Sequence, residues 1–135
     1  MKDELVGFET AKLAKEKGFN WECRFLYHSE LGWEEGKGVD YNWNSFDSFS
    51  APTQSLLQRW LREVHEIDIE IELTDNSRHS YYESSIKKQD IRDYNDEDCF
   101  DQVRQVHIKG KFKTYEQALE KGLQEALKVI NKALN

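Results

Sequence analysis

Proline occurs once in this 135-residue chain, at Pro52, so nearly every stretch keeps the backbone N–H that a helix or a sheet ladder needs. Cysteine occurs twice, as Cys23 and Cys99, with neither CxxC nor metal-ligand spacing. That excludes a disulfide scaffold and leaves two reduced thiols or one bridge as open alternatives. The four histidines, His28, His65, His79 and His107, show no HxxxH or HExxH spacing of the kind that pairs zinc ligands on one helix. No apolar run approaches membrane-span length, and no basic-then-apolar leader opens the sequence. The expectation is a soluble, cytoplasmic protein with no membrane partner. Phosphate-cradling glycine loops, the GxGxxG fingerprint and the GxSxG elbow are also missing. No cofactor or metal is therefore expected, and catalysis is not the favoured reading.

What the chain does have is one clearly patterned stretch, Ser50 to Thr74. Leu56, Leu57, Trp60, Leu61 and Val64 recur at helical spacing, with Gln58, Arg59, Arg62, Glu63 and Glu66 on the other side. Ser50 or Ala51 stands where a cap belongs and Pro52 just inside the start, which predicts a helix over 52–66. His65 falls in its last turn, where the helix dipole favours a protonated imidazole. From Ile67 the period becomes two: Ile67, Ile69, Ile71 and Leu73 alternate with Asp68, Glu70 and Glu72. No other register keeps the isoleucines dry, so a strand over 67–73 is well specified.

The flanking segments complete an α+β chain. A helix is expected over 4–17, closed by Gly18, with Leu5, Phe8 and Ala11 docking. A strand over 23–28 and a second near 39–43 would form a hairpin around the glycine- and aromatic-rich stretch 29–49. Strands over 81–88 and 103–112 follow, with Tyr82, Ser84, Ile86, Val106, Ile108 and Phe112 inward. Lys109 and Lys111 point outward, beside Glu70 and Glu72. Thr114 with Gln117 three residues on is a capping-box pattern, opening a helix over 115–133. The predicted order is α-β-β-α-β-β-β-α in one unit: a mainly antiparallel sheet with the two long helices packed on one face.

Candidate chemistry is sparse. In the acidic stretch Asp90 to Asp101, Asp93 and Asn95 fit the first EF-hand positions, but Asp98 stands where the loop glycine belongs and Arg104 where the bidentate Glu belongs. A solvated loop is the simpler account. An enzyme would need His79, His107 and that loop to converge in one cleft. Trp33, Tyr41, Trp43 and Phe46 concentrate in the 29–49 stretch. Such rings commonly cover a core edge, yet aromatics also dominate interface hot spots. They are the candidate protein-binding residues, for an unidentified protein partner or a second copy of the chain.

Charge supplies the alternative. The chain is acidic overall, net −7, but residues 103–135 carry seven basic and three acidic side chains. Arg104, Lys109, Lys111 and Lys113 are thus candidate nucleic-acid contacts. The order helix, three strands, helix over 52–133 resembles the double-stranded-RNA-binding domain, which meets phosphates at the start of its last helix. Here that start reads Thr114-Tyr115-Glu116-Gln117, and Glu116 and Glu120 would repel phosphate. The stretch from Phe112 to Leu119 also resembles the matching part of HicB-type antitoxins.

Three further segments go together: Glu9 to Phe19 (ETAKLAKEKGF), Ser50 to His65 (SAPTQSLLQRWLREVH) and Thr114 to Leu119 (TYEQAL). In this order they resemble a small protein family of gut Bacteroidales and their phages. The resemblance implies a small cytoplasmic accessory protein of a mobile element and supplies no activity or site residues.

Overall fold

The computed structural model describes residues 3–29, 32–75, 78–90 and 102–130; at 89, 90 and 102–104 the backbone alone is described. Among these residues, three helices and six strands follow one another as α1 (Phe8–Glu16), β1 (Phe25–Ser29), β2 (Gly32–Glu35), β3 (Phe49–Ala51), α2 (Gln54–His65), β4 (Ile67–Asp75), β5 (Ser80–Asp90), β6 (Gln102–Phe112) and α3 (Tyr115–Val129). The fold is α+β. Its strands form two antiparallel sheets, ordered β2-β1-β3 and β4-β5-β6.

The second sheet follows the alternation of the sequence along the first half of β4; Ile71 is only partly buried, and Leu73, expected inward, is 55% exposed. Ile67 and Ile69 are buried, while Asp68, Glu70 and Glu72 face water. Across the sheet Ser84 and Ile86 of β5 and Ile108 of β6 join the buried face. Helix α3 lies over all three strands and α2 lies beside it over β4, so both long helices cover one face, as expected. Gly122 is the point of closest approach: a Cβ there would stand 2.7 Å from Ile69 Cγ2. Thr114 caps α3, its Oγ1 accepting from the Gln117 N–H at 3.1 Å. The Gln117 side chain reaches back one residue further than a capping box requires, accepting from the Lys113 N–H.

Helix α2 starts later than expected. Ser50 and Ala51 belong to β3, opposite Leu26 and Phe25, so Pro52 stays outside the helix, its carbonyl accepting from the Val6 N–H. Thr53 is the cap, taking the Leu56 N–H on its side chain at 3.2 Å. The helix ends at Glu66 in a left-handed conformation, φ 57° and ψ 35°, and there the period changes from helical to extended. Leu57, Trp60 and Leu61 are buried, but Val64 at the outer end of the stripe is half-exposed. His65 differs more sharply. It packs edge-on against Trp60 at 4.7 Å, and burial, with Lys88 nearby, lowers its pKa. Both effects disfavour the charged imidazole, the opposite of the expectation from the helix dipole.

Three further expectations need correction in the sheets. Strand β5 lies between β4 and β6, so Lys109 and Lys111 are not beside Glu70 and Glu72. Glu70 pairs with Lys87 of β5 at 2.8 Å, and Glu83 takes His107 at 3.1 Å. Val106 faces inward opposite Ile86 but is half-exposed, because β6 is an edge strand and α3 does not reach over it there. The hairpin partner of β1 is β2, not 39–43; from that segment only Tyr41 makes a bridge, to Cys23.

The N-terminal helix is shorter than expected, beginning at Phe8. Residues 4–6 instead run extended beside 52–54, through Leu5 to Thr53 and the Gln54 N–H to Glu4 O bond at 2.7 Å. Gly18 ends it with φ 91°, the position that favours glycine. One buried cluster draws on both sheets and all three helices, including Val6, Ala14, Tyr27, Trp60, Ile69 and Leu123. Residues 91–101 of the acidic stretch, Cys99 among them, lie outside the described residues, and the calcium reading with them. No described helix is long and apolar enough to cross a membrane.

Candidate functional site

The stretch between β1 and β3 has little regular structure, and polar bonds fix its course. Cys23 and Tyr41 exchange two backbone hydrogen bonds of 3.0 Å each. Trp43 is the pin: its Nε1–H donates to Cys23 O at 2.6 Å and its backbone N–H to Ser50 Oγ at 2.8 Å. Its indole lies flat on Gly36, where a Cβ would come within 2.1 Å of Cζ2. Asn44 bridges Phe19 O and the Ser50 N–H, both at 2.8 Å. The turn at 45–48 closes on its own serines, Ser45 Oγ to Ser48 Oγ at 2.6 Å, and Lys15 of α1 donates to Ser45 O and Ser48 O.

The other three rings project outward from this framework. Phe46, at the turn, is fully exposed; Trp33 and Tyr41 are 55% and 59% exposed. Trp33 leans edge-on against Phe25 at 5.0 Å, and Tyr41 tilts onto Trp43 at 5.2 Å. These contacts make two pairs rather than one cluster, and among the described residues no ring-to-ring contact joins Phe46 to either. Val39 is exposed as well. All four residues of β2 are exposed, and that strand forms the outer edge of its sheet.

The basic candidates occupy a different face. Lys109, Lys111 and Lys113 are exposed at the end of β6, where two extra residues around Gly110 bulge the strand between Ile108 and Phe112. Lys111 Nζ sits 4.8 Å over the Tyr81 ring. Arg104 pairs through its backbone with Lys88, and its side chain is not described. Thr114 already caps the start of α3, and Glu116 borders two clefts beside it. One, about 430 Å³, is lined by Tyr82, Lys113, Thr114, Tyr115 and Glu116. The other, about 460 Å³, includes Glu4, Gln54, Glu116 and Glu120.

Glu120, read from the sequence only as a charge that would repel phosphate, joins three helices. Its Oε2 accepts from the Gly7 N–H at 3.0 Å and from Thr10 Oγ1, filling the cap that α1 lacks from its own residues. Its Oε1 takes Gln54 Nε2 at 3.1 Å, and the same amide reaches Glu116 O at 2.9 Å. This carboxylate is engaged in structure.

Catalytic arrangements are not assembled among the described groups. Cys23 is buried, burial pushes its thiol up, and Sγ donates to Phe25 O at 3.4 Å, the reverse of an activated nucleophile. His28 is paired with Glu34 on the exposed strand β2, and His107 with Glu83 on the central strand β5. No group of three or more His, Cys, Asp or Glu among the described residues is placed to hold a metal. Comparison with known proteins returned no matching family model, no matching curated protein and no matching solved structure.

Proposed function

We propose that the chain is a non-enzymatic protein-binding module, docking a partner protein through Trp33, Tyr41 and Phe46, with Trp43 as their support. One observation carries this reading: three large rings stand largely in water on a segment tied down by part-buried hydrogen bonds and by an indole packed on a glycine. Burying a ring of this kind gains about 1.5–3 kcal/mol, and a fixed backbone lowers the ordering cost of binding. The resemblance to the Bacteroidales and phage family suits such a role, as a cytoplasmic accessory protein of a mobile element. The test compares capture of host proteins by the wild-type chain and by a Trp33→Ser, Tyr41→Ser, Phe46→Ser variant with an unchanged circular dichroism spectrum. Loss of a specific partner in the variant supports the reading; the same partners retained at the same yield removes it.

A second reading rests on the exposed lysines at the end of β6, with Lys111 over Tyr81. Arg104, Lys109, Lys111 and Lys113 would contact phosphates. Such contacts strengthen steeply as salt falls, so absence of binding to duplex RNA or DNA at low ionic strength eliminates it.

A further inference from the structure

We propose that the outer edge of β6, with the apolar groove beside it, is a two-fold interface between two copies of this chain. The groove, about 250 Å³, is lined by Ile67, Ile86, Lys88, Val106 and Val129. Val106 and Val129 stand half-exposed at its rim, although Val106 occupies an inward-facing position. Where its neighbours on β5 are covered by α3, Val106 waits for cover from beyond the edge.

The three exposed edges differ in what they can accept. Strand β2 has only four residues, so two copies would form a short ladder, and Glu34 and Glu35 crowd its end with like charge. Along β4 runs an acidic row, Asp68, Glu70 and Glu72, and Gln58 of α2 already donates to Ile69 O at 3.2 Å. Strand β6 is eleven residues long and has no strand beyond it among the described residues.

Antiparallel pairing of β6 with itself, centred on Val106, avoids charge conflict. Gln105 then faces the partner's His107, and Lys109 faces the partner's Val103. The two Lys109 residues stand six positions apart along the ladder, about 20 Å by strand rise, beyond the screening length of about 8 Å at physiological salt. The bulge at Gly110 ends the ladder before Lys111. A two-fold axis normal to the sheet leaves both helix layers on the same side, so the two grooves merge and each Val106 covers the other. The contact is isologous and closes at two copies.

Sedimentation velocity and light scattering over a concentration series test this. The expected mass at high concentration is twice the 16.0 kDa of one chain, falling to one chain in Val106→Glu. Trp33→Ser should leave the dimer intact, which keeps this result distinct from the fate of the aromatic surface. In a Cys99→Ser background, Val106→Cys lies on the axis and should link to its own counterpart on mild oxidation, a readout that needs no disruptive substitution. A single-chain mass at every concentration overturns the proposal. So does a dimer that survives Val106→Glu or dissolves in Trp33→Ser, or a Val106→Cys chain that stays unlinked under oxidant.

Discussion

The two sheets are held by different physics. In β4-β5-β6, apolar side chains on alternating positions meet two amphipathic helices, and most of the binding energy is buried hydrocarbon. In β2-β1-β3 and its long connection, named polar bonds and one ring-on-glycine contact set the course of the chain. The β4-β5-β6 side leaves Val64, Leu73, Val106, Val129 and Tyr115 part-exposed; β2-β1-β3 and its connection leave three aromatic rings, Trp33, Tyr41 and Phe46, outside. Function is more readily carried by the region whose rings are not consumed by folding.

Substitutions can break or sharpen that contrast. Trp60→Ala removes the largest fully buried side chain and should cost about 3–5 kcal/mol in chemical denaturation, by cavity formation. Gly122→Ala drives a methyl against Ile69. Overpacking of about 1–3 kcal/mol should outweigh the gain of about 1 kcal/mol in helix propensity, so a net loss of stability is expected. In the other region, Gly36→Ala should evict the Trp43 indole and red-shift tryptophan emission, while the unfolding midpoint moves less than in Trp60→Ala.

Two smaller effects probe the junction between helix and strand. Glu66→Gly should stabilise by about 1 kcal/mol, since glycine takes the left-handed conformation without the Cβ penalty. His65 has a depressed pKa in the fold, so the unfolded chain binds its proton more readily. Its contribution is complete above the unfolded value of about 6.5 and is lost as pH falls below that toward the folded value. A His65→Gln variant should therefore show a shallower decline of stability in that acidic window. An unchanged slope would show that other groups set it.

Much of the β4-β5-β6 region was legible because burial and side-chain period coincide there. The switch at 65–67, the Thr114 cap and the inward set of β5 follow from spacing alone. Val64 and Val106 misled because periodicity assigns a face without telling how far the covering layer extends. Pairing Lys109 with Glu70 failed for a topological reason: a meander places the middle strand between them.

The β2-β1-β3 region was far less legible. Strand β2, Gly-Trp-Glu-Glu, carries no apolar alternation, and β3 has three residues, too short to show a period. Ser50 and Pro52 resembled helix-start residues, yet the edge pairing of β3 claimed them first. The contacts that fix the segment join Lys15 to Ser48, Asn44 to Phe19 and Trp43 to Cys23 across long sequence separations, without any local pattern. Of the four aromatic candidates, sequence could not separate the pin, Trp43, from the three exposed rings.

Residue-resolved hydrogen exchange most directly tests whether those rings are held on a fixed backbone. The Cys23 and Tyr41 amides and the Trp43 Nε1–H should exchange far more slowly than the exposed Trp33 Nε1–H, with protection comparable to β1. Exchange of all of them near the rate of an unstructured peptide would mean that the aromatic segment is not preorganised, and the docking surface built on it would fall.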